Sequence, residues 1–168
     1  MARALRWVPF FVLAYLALGL QSGLGGVAQI GGGPLNVVLI AVAFIAINAR
    51  QHAAVGGCFV LGLLHDLIGT GPLGGYALAY TLVAFLMAGT DRALNVEHAW
   101  THFVVVFLGG IVTAIVLWLQ GRVGVYGQPI PLWPNVAGAF YTSVLAIFVL
   151  RGLTKLRKRF RFKGSIGR

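Results

Sequence analysis

The sequence predicts an all-α, polytopic membrane protein: a bundle of about six transmembrane helices with both termini in the cytoplasm. The 168-residue chain is 59% hydrophobic and only 10% charged, with a mean hydropathy of +0.90, whereas an ordinary soluble domain is about a quarter charged. Six apolar runs approach the roughly 20 residues that cross a bilayer. The basic residues lie almost entirely on one side of these runs. This composition excludes a water-soluble globule, because there is too little polar surface to cover one.

The six predicted spans are separated by short connections that are rich in glycine or carry basic residues. The fifth span, "AWTHFVVVFLGGIVTAIVLWL", is the clearest, and the third is short. The predicted spans are residues 6–22, 34–49, 53–68, 73–90, 99–119 and 136–151. We therefore predict a six-helix transmembrane domain over residues 1–152 and a basic cytoplasmic tail over residues 153–168.

The distribution of Lys and Arg sets the predicted orientation, because cytoplasmic connections carry an excess of these residues. Twelve of the thirteen lie in the N-terminus, the second and fourth connections and the tail. Arg122 alone lies in the other three connections. An even number of spans returns the chain to its starting side, so both termini are expected inside.

The first span has a second interpretation. The segment "MARALRWVPFFVLAYLALGL" also resembles a signal peptide, with a basic start and an apolar middle. Its cleavage would leave five spans. An export signal would serve a sizeable soluble domain, and the sequence shows none, so we expect residues 1–22 to be retained.

Asp66 is the one acidic residue at the end of an apolar span, in the stretch "HDLIGTGPLGGYALAY" (65–80). A carboxylate within the membrane costs several kcal/mol, and at a helix C-terminus the macrodipole adds about 0.3–1 kcal/mol. The unpaired N–H groups that begin the next helix, near Leu73 and Gly74, are expected to offset this cost. Three roles stay open: a structural or partner-binding anchor, which we favour, a hydrated interfacial residue, and a proton or ion site.

Small and amide residues in these spans are candidates for helix packing. Gly62 lies one helical turn before Asp66, where a small residue lets another helix approach closely. Pro34 is predicted to open the second span, because proline is favoured at the first helical position. Asn36 and Asn48 stand near the two ends of that span and are candidates for hydrogen bonds across helices. Helix packing is therefore the role that we predict for these positions.

The tail "KLRKRFRFKG" carries a dense run of cations beside the last span. Each cation near an anionic leaflet is worth about 1 kcal/mol, so we predict contact with anionic lipids, with docking onto a cytoplasmic protein as the alternative. The run is short and adjacent to the membrane, which argues against nucleic acid. The predicted contact residues are Lys155, Arg157, Lys158, Arg159, Arg161 and Lys163.

The sequence contains no pattern typical of an enzyme or a cofactor site. The spans hold no paired carboxylates, and the single cysteine, Cys58, has no evident base beside it. No phosphate-cradling loop precedes a Lys-Ser/Thr pair. His98 and His102 are four residues apart, but two histidines without a helping carboxylate are a weak metal signal. We therefore expect no catalysis, no cofactor and no metal.

Residues 56–88, "GGCFVLGLLHDLIGTGPLGGYALAYTLVAFLMA", resemble the MreD family, small polytopic proteins of the bacterial rod-shape machinery. That family has a glycine-rich apolar span ending in a Gly-x-x-x-Asp element, then a short turn, a Leu-Gly pair and a small-residue span. The matching residues are Gly62, Asp66, Leu73, Gly74 and Ala77. Pro34 and the basic turn at Arg50 also fit. The family often has a polar or acidic residue soon after that proline, and Asn36 stands there.

The resemblance implies a non-enzymatic scaffold in the bacterial inner membrane. Such a protein would bind the single-span protein MreC. Through MreC it would couple MreB filaments inside the cell to peptidoglycan synthesis by RodA and its transpeptidase outside. The region around Asp66 would then belong to a helix–helix contact, and self-association into a homo-oligomer stays open.

Two other classes of membrane protein stay open. The first is the substrate-binding S-component of an energy-coupling-factor vitamin transporter, which also has six spans and a similar size. It would need a polar pocket that opens outward, and few polar residues here would line one. The second is a small proton- or ion-coupled carrier that uses Asp66, in which Asp66→Asn would abolish transport.

Overall fold

The computed structural model describes residues 7–24, 29–30, 32–69, 71–88, 99–124 and 129–162. Within these ranges the chain forms six helices and a two-stranded antiparallel hairpin. The helices are α1 (Trp7–Leu24), α2 (Val37–Asn48), α3 (Gln51–Ile68), α4 (Gly75–Ala88), α5 (Ala99–Arg122) and α6 (Leu132–Phe162), and the strands are β1 (Gln29–Ile30) and β2 (Gly33–Pro34). Each predicted apolar segment therefore contains a helix, and the fold is that of an all-α membrane protein.

Helix α2 lies at the centre of the bundle and contacts each of the other five helices. Its sequence, "VVLIAVAFIAIN", is apolar on every face, as expected for a helix that other helices surround. The buried residues are Val38, Leu39, Ile40, Ala41, Val42, Ala43, Ile45 and Ala46. A helix of 12 residues is about 18 Å long, which is shorter than the roughly 30 Å hydrocarbon core of a bilayer. The polar backbone groups at its ends therefore need partners within the protein.

The helices differ in length. Three of those described are long and apolar enough to cross a membrane: Gln51–Ile68, Trp100–Arg122 and Leu132–Leu153. The shorter apolar helices are Phe10–Leu24, Val37–Asn48 and Gly75–Met87. Long and short helices therefore pack together in one bundle.

Helices α3 and α4 form one extensively packed pair, and α5 and α6 form the other. At Gly62 of α3 the two backbones come very close: a Cβ atom there would lie 2.5 Å from the Ala77 Cα atom and 2.6 Å from the Tyr76 carbonyl oxygen. Gly110 of α5 likewise faces Ala139 of α6. Small residues thus set the spacing within both pairs, as is common where lipid supplies no hydrophobic drive for association.

The prediction that Pro34 opens the second span is wrong, because Pro34 lies in β2. Helix α2 begins at Val37, since Asn36 has a non-helical conformation (φ −110°, ψ 84°) and is the N-cap. The Asn36 side chain accepts a hydrogen bond of 3.0 Å from the Leu39 N–H. A side-chain acceptor at this position satisfies one of the free donors at the helix start.

Helix α6 is longer than predicted at both ends. It begins at Leu132, four residues early, and continues to Phe162. The stretch 153–162 contains no glycine or proline, and its Leu, Lys and Arg residues favour helix. The predicted boundary between a transmembrane domain and a tail at residue 152 falls inside this helix and stays a prediction.

We expect Gly62→Ala to destabilise the protein, because the added methyl group would meet the backbone of α4. Overpacking of this kind typically costs about 1–3 kcal/mol. Gly56→Ala is the matched control, since Gly56 lies on the same helix with nothing within 4 Å of an added Cβ atom. Thermal unfolding in detergent measures both variants. Equal melting temperatures would contradict the close approach at Gly62.

Candidate functional site

The carboxylate of Asp66 is buried at the end of α3 and caps the start of α4. Only 4% of the residue is exposed. Its Oδ2 atom accepts hydrogen bonds from the Gly74 and Ala77 N–H groups, and its Oδ1 atom accepts one from the Tyr76 N–H, each at 3.0 Å. Backbone donors therefore occupy both oxygens.

Two features of the turn between α3 and α4 place these donors. The first N–H groups of a helix have no intrahelical partner, and the macrodipole makes that end positive. Gly74 has a φ of +102°, a conformation that glycine adopts at little cost. The start of α4 thus offsets the cost of an anion at the end of α3. The alternative that Asp66 is a hydrated residue at the membrane interface is wrong, because the side chain is buried.

A second chain of hydrogen bonds joins α3, α4 and the start of α2. His65 Nδ1 lies 3.0 Å from the Tyr80 hydroxyl, which donates to Asn36 Oδ1 at 3.0 Å. The same Asn36 oxygen accepts from the Leu39 N–H, and a carbonyl oxygen can only accept. The Tyr80 proton is therefore committed to Asn36. It follows that His65 Nδ1 carries a proton and donates it to the Tyr80 oxygen.

Side chains from α1 and α6 hold the loop that precedes α2. Gln21 of α1 accepts from the Val37 N–H at 2.7 Å and donates to the Leu35 carbonyl at 2.9 Å. The Asn36 N–H donates to the Thr142 hydroxyl of α6 at 3.0 Å. The irregular backbone of this loop is therefore hydrogen-bonded within the protein, as a membrane protein requires wherever water is absent.

Six residues thus form two sets of hydrogen bonds, one around Asp66 and one around Asn36, which meet at the neighbouring residues His65 and Asp66 and which we together call the polar layer. Its members are Gln21, Asn36, His65, Asp66, Tyr80 and Thr142. The sequence singled out Asp66 and Asn36 but not Gln21, Tyr80 or Thr142. A polar group within an apolar span is the signal that could have selected them. Asn48, by contrast, bonds the Phe44 carbonyl of its own helix at 2.7 Å.

The remaining predicted residues lie outside the polar layer. Leu73 is 64% exposed in the turn before α4, and the Pro34 carbonyl lies against Gly138 of α6. His102 is buried, whereas His98 lies outside the described residues. The side chains of the basic stretch also lie outside the described part, so their lipid contact stays a prediction; they are those of Lys155, Arg157, Lys158, Arg159, Arg161 and Lys163.

Comparison with known protein families gives a match that covers nearly the whole chain. The family model described as "rod shape-determining protein MreD" matches residues 1–155. This range includes every member of the polar layer. No solved structure matches the chain.

Replacing Asp66 by the isosteric Asn is expected to destabilise the protein by about 2–4 kcal/mol, because one amide oxygen cannot serve three donors and the charge is lost. Amide hydrogen exchange gives the direct measurement: protection of Gly74, Tyr76 and Ala77 should fall. Asn48→Ala, which removes a bond within α2, is the control and should leave these amides protected. Unchanged protection in Asp66→Asn would contradict the capping role.

Replacing Tyr80 by Phe is expected to cost about 1–3 kcal/mol, because the hydroxyl bridges two buried groups that would both lose a partner. Tyr15→Phe is the control, since Tyr15 is 79% exposed on α1. Thermal unfolding in the same detergent compares the two. If both variants have the melting temperature of the unmodified protein, the hydrogen bonds that link His65, Tyr80 and Asn36 add no measurable stability.

Proposed function

Because this chain belongs to the MreD family of rod shape-determining membrane proteins, we propose that it is a non-catalytic scaffold of the bacterial inner membrane. It binds an MreC-like single-span protein. Through that partner it links MreB filaments on the cytoplasmic side to the RodA–transpeptidase pair that makes peptidoglycan outside. All six helices belong to the membrane domain, and both termini lie in the cytoplasm.

The observation that carries this proposal is the way in which Asp66 is bound. A carboxylate that transports a proton or an ion must exchange its partners during each cycle. Asp66 is instead buried, and three backbone N–H groups bind it. Its hydrogen bonds hold α3 against α4 and so define the surface that a partner would meet. This favours a structural role for Asp66 over ion coupling.

The outward faces of the bundle suit lipid or the transmembrane helix of a partner. Large apolar side chains are exposed on several helices; they include Tyr15, Leu67, Phe85, Trp100 and Phe148. Association of helices in a bilayer depends on close van der Waals packing and on hydrogen bonds between helices. A single-span partner could therefore pack against one of these faces without a soluble interface.

The predicted orientation places the polar layer near the outer surface. Gln21 and Asp66 come at the outer ends of the first and third spans, and Asn36 precedes the second. The basic residues gather at the opposite, cytoplasmic end. The polar layer would thus face the compartment in which peptidoglycan is made.

The size of a recess beside the polar layer argues against a vitamin-binding S-component. Its polar lining residues are Gln21, Asn36, Tyr76, Thr113 and Asn135, and its volume is about 40 Å³. Sites for small molecules usually enclose about 300–1,000 Å³. A recess of this size, which we call the polar recess, cannot enclose a vitamin.

Co-purification tests the scaffold proposal. The tagged protein, extracted from its native host in mild detergent, should retain an MreC-like protein and cell-wall synthases, identified by mass spectrometry. Asp66→Asn should lower their recovery per folded molecule, because the packing of α3 against α4 is weakened, whereas Asn48→Ala should not.

An unrelated six-span protein with the same tag controls for non-specific recovery. Recovery of paired ATPases with a transmembrane coupling subunit would overturn the scaffold proposal and identify a transport subunit instead. Loss of a measurable ion flux in Asp66→Asn would favour a carrier.

A further inference from the structure

The polar recess lies next to the N-cap of α2, among residues from α1, α4, α5 and α6. A cavity needs a volume of roughly 10–15 Å³ to hold each water molecule. The 40 Å³ of the recess therefore holds about three waters, or the tip of one polar side chain. A recess of this size fits a single functional group but not a whole metabolite.

Several lining residues keep hydrogen-bonding capacity that the fold does not use. Asn36 uses its Oδ1 atom twice, while its Nδ2 group has no partner among the described residues. Asn135 donates from Nδ2 to the Pro131 carbonyl. Its Oδ1 atom accepts no hydrogen bond from the described residues. The Thr113 hydroxyl donates to the Gly109 carbonyl at 2.9 Å and can still accept. The residues that line the recess thus keep at least one donor and two acceptors for an occupant.

The polar groups that line the recess are all uncharged. A charged group removed from water needs an opposite charge beside it, whereas a neutral amide or hydroxyl needs only hydrogen bonds. An amide suits the recess best, because its oxygen can accept from Asn36 while its NH₂ group donates to Asn135 or Thr113. The occupant that matches this lining is therefore neutral and offers both a donor and an acceptor.

We propose that the polar recess binds the amide or hydroxyl tip of a side chain from the outer-leaflet segment of a membrane partner, in place of water. A free solute with three or four non-hydrogen atoms would bind weakly, because affinity is limited by the number of atoms in contact. A side chain on a partner that is already bound is held at an effective concentration on the order of millimolar. This inference rests on the proposed function, since it requires a partner beside the bundle.

The test uses the complete protein co-produced with an MreC-like partner and reconstituted in nanodiscs. A photoreactive amino acid at Leu117, which lines the recess, should give a covalent adduct with the partner under ultraviolet light. Thr113→Val should weaken partner binding about five-fold, as expected for one hydrogen bond of roughly 1 kcal/mol. Thr81→Val is the matched control, because the Thr81 hydroxyl also bonds a carbonyl four residues back, that of Ala77, but does not line the recess.

Two outcomes overturn the inference while leaving the scaffold function intact. In the first, the partner binds normally but the Leu117 probe gives no adduct with it, which leaves water as the only occupant. In the second, Thr113→Val and Thr81→Val bind the partner equally well. If no partner is retained by the unmodified protein, the scaffold function and this inference both fail.

Discussion

The backbone groups at the start of α2 need hydrogen-bond partners from the rest of the protein, and the polar layer supplies them. Helix α2 is short, central and surrounded by five other helices. The N–H groups of its first turn therefore lie inside the bundle. Gln21, Thr142 and the Asn36 side chain each satisfy one backbone donor there. In hydrocarbon an unsatisfied peptide group costs several kcal/mol. This requirement explains why polar side chains from α1 and α6 converge on one short loop.

The same requirement accounts for Asp66. The turn between α3 and α4 exposes the free N–H groups of α4 inside the protein, and one carboxylate satisfies three of them. Burying a carboxylate is costly, and the positive end of a helix is one of the few environments that offset the cost without a basic residue. Gly62 is the second part of this arrangement, because its missing side chain allows α4 to approach. The Gly-x-x-x-Asp element therefore works as one unit: the glycine sets the distance and the aspartate fixes the register.

Membership in a family of shape-determining proteins agrees with a bundle in which polar groups serve structure. Tyr80 ties α3 and α4 to the loop before α2, so most of the helices meet in one hydrogen-bonded region. Under the proposed function, these hydrogen bonds between helices would keep the arrangement of the helices, and so the surface that a partner meets, constant. The polar recess lies beside this region and shares Gln21 and Asn36 with it.

The amino-acid sequence by itself determined that a bilayer surrounds the chain, where the six helices lie, and that Asp66 stands at the end of an apolar helix. Composition is enough to require a bilayer, apolar runs are enough to locate six helices, and the element around Gly62 and Asp66 is local. The tertiary structure alone decided which groups meet: Asn36 with Thr142, 106 residues apart, and Tyr80 with Asn36, 44 residues apart. It also placed Pro34 in a strand rather than a helix. Hydrogen bonds across such separations depend on how the helices are arranged, and no local pattern of residues encodes that arrangement.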